Sequence, residues 1–155
     1  MTEKQVSNIR QFREDYIDFA LQQGRIEMMP GVEAYLTNLS VDQRCAVCSS
    51  SPRKRGKRIL QYLGLYEKMD FCLFVDDVER AKPDPLPYLK VLDHFQLTAN
   101  QALAFEDSIS GVQSAQAAKI EVIGVRHPLT RDFRSLCGEG HAISSFEELM
   151  GVHKV

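Results

Sequence analysis

Long apolar runs are missing from this 155-residue chain. The longest strong one is Phe71-Cys72-Leu73-Phe74-Val75, whereas a membrane-crossing helix takes about 20 such residues, so no membrane span is expected. A basic excess is missing as well. Nineteen Lys and Arg stand against 21 Asp and Glu, a formal net charge of −2. That balance holds no nucleic-acid backbone by counterion release. Met1 leads into Thr2-Glu3-Lys4-Gln5 rather than an apolar stretch, so a signal-peptide pattern is absent. There is no internal repeat and no low-complexity segment. Membrane, collagen-like, disordered and disulfide-scaffold classes are excluded. What remains is one soluble domain, 44% apolar and 26% charged, long enough to bury its own core.

The cysteines are Cys45, Cys48, Cys72 and Cys137. Cys45 and Cys48 form a CxxC, but the stretch Arg44 to Cys48 reads as a buried strand. On a strand, residues three apart point to opposite faces. No second CxxC or histidine pair completes a zinc site. The cysteines therefore read as core residues, and four unpatterned thiols suit a reducing cytoplasm. His94, His127, His141 and His153 lack metal-ligand spacing and read as surface or loop residues.

Helical periodicity opens the chain. Val6, Ile9, Phe12, Tyr16, Phe19 and Ala20 recur every three or four residues, predicting a helix over 4–22 that stops at Gly24. A short helix over 32–39 follows Pro30-Gly31. Apolar runs then alternate with helices: strands at 45–48, 71–75, 102–105, 122–125 and 142–143, helices at 54–63, 85–95, 109–119 and from about 145. This alternation predicts an α/β fold with a doubly wound parallel sheet covered on both faces. A boundary is expected near Gly24 to Pro30.

Three runs end in polar clusters: Ser49-Ser50-Ser51, Asp76-Asp77 and Glu106-Asp107-Ser108. Ligands of open parallel sheets bind beyond the carboxyl ends of the strands. Hydroxyls and helix N-termini favour phosphate, and clustered carboxylates need a hard cation such as Mg²⁺. Lys82 lies in Ala81-Lys82-Pro83-Asp84-Pro85, where Pro83 keeps it out of the helical region. Asp84 can cap the next helix, with Pro85 at its first position. The lysine is thus presented from a stiff loop beside the clusters. The run Arg53-Lys54-Arg55-Gly56-Lys57-Arg58 reads as a solvated helix face, with contact to a substrate anion as the second reading.

Val47-Cys48-Ser49-Ser50-Ser51, Lys82-Pro83-Asp84-Pro85 and Phe105-Glu106-Asp107-Ser108-Ile109-Ser110-Gly111-Val112 resemble, in order, motifs two to four of the haloacid dehalogenase superfamily. The similarity is to its helical-cap subgroup, which includes β-phosphoglucomutase and phosphoglycolate phosphatase, and it runs from about residue 26 to 150. Met29-Pro30-Gly31-Val32 resembles that subgroup's return from cap to core. The resemblance implies that Ser49 and the Ser50 N–H bind the transferring phosphoryl group and that Lys82 neutralises it. It implies that Glu106 and Asp107 hold Mg²⁺, and that Gly111 lets a helix pack closely at the site. Residues 1–27 would be a remnant of the helical cap and 28–155 the α/β core.

One family motif has no counterpart. The superfamily's first motif is a strand ending in Asp-x-Asp, whose first Asp is the nucleophile. Asp15 and Asp18 lie in a helical pattern and Asp42 is isolated, so none fits. By the precedent of serine proteases, losing a nucleophile costs about a million-fold in turnover. The chain alone is therefore expected to be inactive. In the family that strand sits between those ending at Ser49 and Glu106. Without it the two either close up and pair or face a gap that another chain fills. An open sheet and the apolar stripe of the first helix favour a homo-oligomer. The expected function is a Mg²⁺-dependent phosphatase or phosphomutase of small phosphorylated metabolites. The alternative is a non-catalytic phosphate- and metal-binding module. A phospho-acceptor receiver domain also uses acids, a hydroxyl and a lysine, but it begins with its acidic pair and ends with its lysine, the reverse of the order here.

Overall fold

The computed structural model describes residues 1–126 and 142–150. His127, Cys137, His141 and His153 lie outside them. Helix α1 spans Glu3–Gln22 and opens on a capping box. The Thr2 hydroxyl accepts the Gln5 N–H at 3.3 Å, and the Gln5 side chain accepts the Thr2 N–H at 2.8 Å. The chain then turns at Gly24, whose φ of 64° is left-handed. Only Ala20 of α1 is buried, while Ile9, Phe12, Tyr16 and Phe19 remain 46–69% exposed. The apolar stripe that predicts the helix therefore points outward. Polar pairs hold α1 instead: Glu14 to Arg55 at 3.0 Å, and Asp18 to Arg58.

Helix α2 (Val32–Thr37) precedes strand β1 (Ala46–Cys48), helix α3 (Arg53–Tyr62) and strand β2 (Phe71–Leu73). Helix α4 (Leu86–Phe95), strand β3 (Leu103–Glu106), helix α5 (Ile109–Ala117) and strand β4 (Glu121–Val125) continue the alternation. Strand β5 (Ala142–Ile143) and helix α6 (Glu147–Met150) close it. All pairings are parallel, as continuous apolar strands require.

Two predicted boundaries shift for visible reasons. The second strand ends at Leu73 rather than Val75 because the Phe74 N–H donates to the Asp77 carboxylate at 2.8 Å, winding Val75–Asp77 into a 3₁₀ turn. The helix expected to reach Lys119 ends at Ala117, and Lys119 takes a φ of 65°.

The sheet is divided. β1 pairs with β2, and β3–β4–β5 form a separate ladder. Of the two outcomes expected for β1 and β3, closing up does not occur. Among the described residues, neither strand has a second neighbour. Side chains bridge the seam instead. Tyr88 and Leu92 of α4 join Ala104, Val112, Ala115, Ile120 and Val122 in the core, and Cys48 of β1 packs against that cluster. On the other side, Tyr35 of α2, Phe105 of β3 and Phe146 form an aromatic trio with ring centroids 4.8–5.6 Å apart.

Candidate active site

The site forms where β1 and β3 end. Beyond β1, the Ser49 N–H continues the ladder to the Leu73 carbonyl at 2.9 Å. The Ser49 hydroxyl then accepts the Ser51 N–H at 3.1 Å, which curls the serine loop back on itself. Arg53 begins α3 and fastens this loop to the end of β2. Its backbone N–H donates to Asp76 and its guanidinium to Asp77, both at 2.5 Å. The Arg53 hydrogen bond holds the Asp77 carboxyl below its ordinary range. The Asp76-Asp77 cluster thus serves the serine loop. Within the basic run, Arg53, Arg55 and Arg58 pair with carboxylates and Lys57 lies 4.7 Å from the centre of the Tyr66 ring, a helix face with internal partners.

Lys82 is brought to the same place from the other side of the seam. Asp84 accepts the Leu86 N–H at 2.9 Å and starts α4 directly after the loop. The Lys82 side chain is 5% exposed and that of Glu106 is 7% exposed, a buried ion pair. The ammonium donates to the Glu106 carboxylate and, at 2.9 Å, to the Cys48 carbonyl at the end of β1. Burial first, and the Glu106 charge in addition, pushes the Cys48 thiol up to about 11, against the opposing pull of Lys82. Cys45 and Cys72 are likewise free, half-buried thiols raised chiefly by burial, and of the CxxC pair Cys48 packs against the core cluster.

Glu106 is gripped on both oxygens. Oε1 accepts Lys82 Nζ and the Tyr88 hydroxyl, and Oε2 accepts the Ser108 hydroxyl at 3.4 Å. Ser108 Oγ in turn accepts the Gly111 N–H at 3.1 Å, capping α5. A side chain at Gly111 would overlap Glu106, so the close approach of α5 requires glycine. Burial and the neighbouring Glu106 charge raise the Tyr88 phenol, leaving it a hydrogen-bond donor to that carboxylate.

Ser49, Ser50 and Lys82 line one small pocket with Leu73, Val75 and Ala81. Four expected site residues are accordingly gathered: Ser49 and Ser50 beside Lys82, and Glu106 behind the lysine. Asp107 follows Glu106 at the carboxyl end of β3, with its residue exposed. Tyr88 joins the site without a motif to announce it, although its place three residues after Pro85 turns it toward the loop that carries Lys82. Among the described residues, no group of three or more His, Cys, Asp or Glu is placed to hold a metal. Mg²⁺ nonetheless binds through as few as one or two carboxylates with water and phosphate oxygens completing its shell. An exposed Asp107, at the end of the strand that carries Glu106, fits that partial donor set.

The chain is similar to longer phosphatases. It is 35% identical over 128 residues to the phosphorylated carbohydrates phosphatase of Thermotoga maritima, covering 81% of this chain and 59% of that protein. It is 32% identical to the phosphoglycolate phosphatase of Rhodospirillum rubrum, covering 66% of this chain and 43% of that protein. The chain thus spans about half the length of these curated relatives. Among solved structures, a candidate β-phosphoglucomutase of Thermotoga maritima matches with a TM-score of 0.70 and 34% identity over 79% of this chain and 58% of that one. A hydrolase of Entamoeba histolytica matches with a TM-score of 0.82 over 96% of this chain and 68% of that one, and at 24% identity it speaks for the fold alone. The haloacid dehalogenase-like hydrolase family matches residues 1–125, the stretch that carries the serine loop, Lys82 and the Glu106-Asp107 pair, and the chain belongs to that family.

Proposed function

We propose that this chain forms the phosphate-holding half of a Mg²⁺-dependent phosphatase or phosphomutase acting on small phosphorylated metabolites. The observation that carries the reading is the shared pocket of Ser49, Ser50 and Lys82 at the carboxyl ends of β1 and β2, with Lys82 paired to Glu106 at the end of β3. The Ser49 hydroxyl and Ser50 N–H donate to phosphoryl oxygens. Lys82 offsets their charge, with Glu106 fixing its ammonium at the pocket wall. Asp107 and Glu106 would hold Mg²⁺, Glu106 through water because Lys82, Tyr88 and Ser108 occupy its oxygens, and the ion would supply charge neutralisation to the phosphoryl oxygens. Residues 1–27 act as a piece of the substrate-selecting cap and 28–155 as the core.

No Asp-x-Asp occurs in the chain, so we assign it no nucleophile and no turnover on its own. A second reading, a phosphate-binding module without catalysis, is favoured by the same fact and by the edges of β1 and β3 that, among the described residues, no strand pairs. The exposed Ile9, Phe12, Tyr16 and Phe19 support self-association of the chain. The free thiols of Cys45, Cys48 and Cys72 support residence in a reducing compartment such as the cytoplasm. Among the described residues, no helix is long and apolar enough to cross a membrane.

The test is an assay with an aryl phosphate and Mg²⁺, run beside Asp107→Ala, together with a titration of inorganic phosphate against the Ser49 and Ser50 amide resonances. Phosphate shifting those resonances without turnover is the expected result. Silent resonances overturn the phosphate site, and turnover that vanishes in Asp107→Ala overturns the assignment of no nucleophile.

A further inference from the structure

We propose that Tyr88 is a positioning residue of this site, holding the Glu106 carboxylate so that Lys82 stays pinned at the wall of the Ser49–Ser50 pocket. The proposal rests on the phosphate-site reading for its functional meaning and on geometry for its substance. Tyr88 is 8% exposed and lies in the first turn of α4, four residues after the Asp84 that starts that helix. Its hydroxyl donates to the same Glu106 oxygen that receives Lys82 Nζ. Its ring centroid lies 4.8 Å from that ammonium, within cation–π range, and its oxygen lies 3.5 Å from it. One phenol therefore touches both members of the ion pair.

A buried carboxylate shared by two donors has little rotational freedom, and each donor limits where the other can sit. The opposite oxygen of Glu106 is enclosed by Ser108 and by the backbone of α5 at Gly111. Tyr88 is thus the partner that fixes Oε1 apart from the lysine itself. Without its hydroxyl, Glu106 keeps Lys82 as its main donor on that side and the pair can swing together. The lysine amine then leaves its place between Cys48 and Glu106 more often and meets solvent reagents.

The experiment is acetylation of the lysines of the full chain, quantified by mass spectrometry, with the exposed Lys54 and Lys119 as internal references. In the wild type Lys82 should be labelled least. Tyr88→Phe should raise its labelling relative to the references by about tenfold. Glu106→Gln should release it at least as far. Adding Tyr88→Phe to Glu106→Gln should change the ratio by less than about twofold, because the phenol acts through the carboxylate. A merely structural loosening of α4 would instead raise the ratio on both backgrounds. Unchanged Lys82 labelling in Tyr88→Phe, or equal increments on the two backgrounds, overturns the proposal. Should Tyr88→Phe fail to fold, Tyr88→Met takes its place on both backgrounds, and Lys82 labelling that stays at the wild-type level there overturns the proposal. The phosphate titration of the Ser49 and Ser50 amides is read separately in the wild type. Its failure removes the phosphate site and leaves the Tyr88 result standing.

Discussion

Lys82 reaches across the divided sheet to Cys48: its ammonium donates to that residue's carbonyl at 2.9 Å while also gripping Glu106 at the end of β3. Along a parallel strand, successive carbonyls face alternate edges. Cys45 and Ser49 bond toward β2, through the Asp70 N–H and the Leu73 carbonyl. The carbonyl of Cys48 faces the seam, and a side-chain ammonium satisfies it where no strand does. Site and fold are therefore coupled through one lysine.

The coupling gives the first expected outcome. Lys82→Met strips Glu106 of its counter-ion in a buried place, and breaking such a pair costs about 3–5 kcal/mol. Urea denaturation should show a loss in that range, and Lys82→Met with Glu106→Gln should recover most of it. A single-variant cost under about 1 kcal/mol would contradict the buried pair.

Gly111→Ala places a methyl group against the Glu106 carboxylate, which is backed by Lys82, Tyr88 and Ser108 and cannot step aside freely. Overpacking of this kind costs about 1–3 kcal/mol. The thermal midpoint should fall accordingly. A Gly111→Ala protein as stable as wild type would show that α5 can slide away from the site.

Acid should loosen the serine loop. Asp77 titrates below its ordinary range in the folded chain, chiefly because Arg53 donates to it. The stabilisation is complete above the ordinary carboxylate pKa and is lost as pH falls through the lowered one. The effect is modest, since the Arg53 side chain is 49% exposed. Stability measured by urea midpoint should fall less steeply with acid in Asp77→Asn than in wild type. Identical acid limbs would remove Asp77 from the account.

Phe12 and Tyr16 stand 69% and 59% exposed on one face of α1. Burying a ring of that size between copies stabilises association by about 1.5–3 kcal/mol. Light scattering across a concentration series should show self-association, and Phe12→Ser with Tyr16→Ser should weaken it at least about tenfold. A wild-type chain that stays monomeric throughout defeats the expectation.

Much of the fold is legible in the order of the amino acids. The alternation of apolar runs with helices marks the parallel α/β layout, because strands covered on both faces carry no polar alternation. Ser49, Lys82 and Glu106 can be placed at one end because each follows a strand or precedes a helix there. Two things are hidden. Asp76-Asp77 looks like any other acidic cluster at a strand end, and only the position of Arg53 on α3 shows that it fastens a loop. Tyr88 fits the apolar pattern of α4, and its hydroxyl acquires meaning only when α4 is laid over the seam beside Glu106. The outward stripe of α1 is expected from the family resemblance, which leaves that helix without cap partners, and not from its periodicity. Periodicity reports a helix face and is silent on which way it turns.

The seam also sets the order in which the molecule should breathe. Among the described residues β1 is bonded to β2 alone and β3 to β4 alone, while the far side is tied by the Phe146 N–H donating to the Pro30 carbonyl at 2.9 Å. Deuterium should therefore enter first along the facing edges of β1 and β3 and last at Val122 and Val125 in the middle of the second ladder, so that isotope uptake spreads outward from the lysine that bridges them.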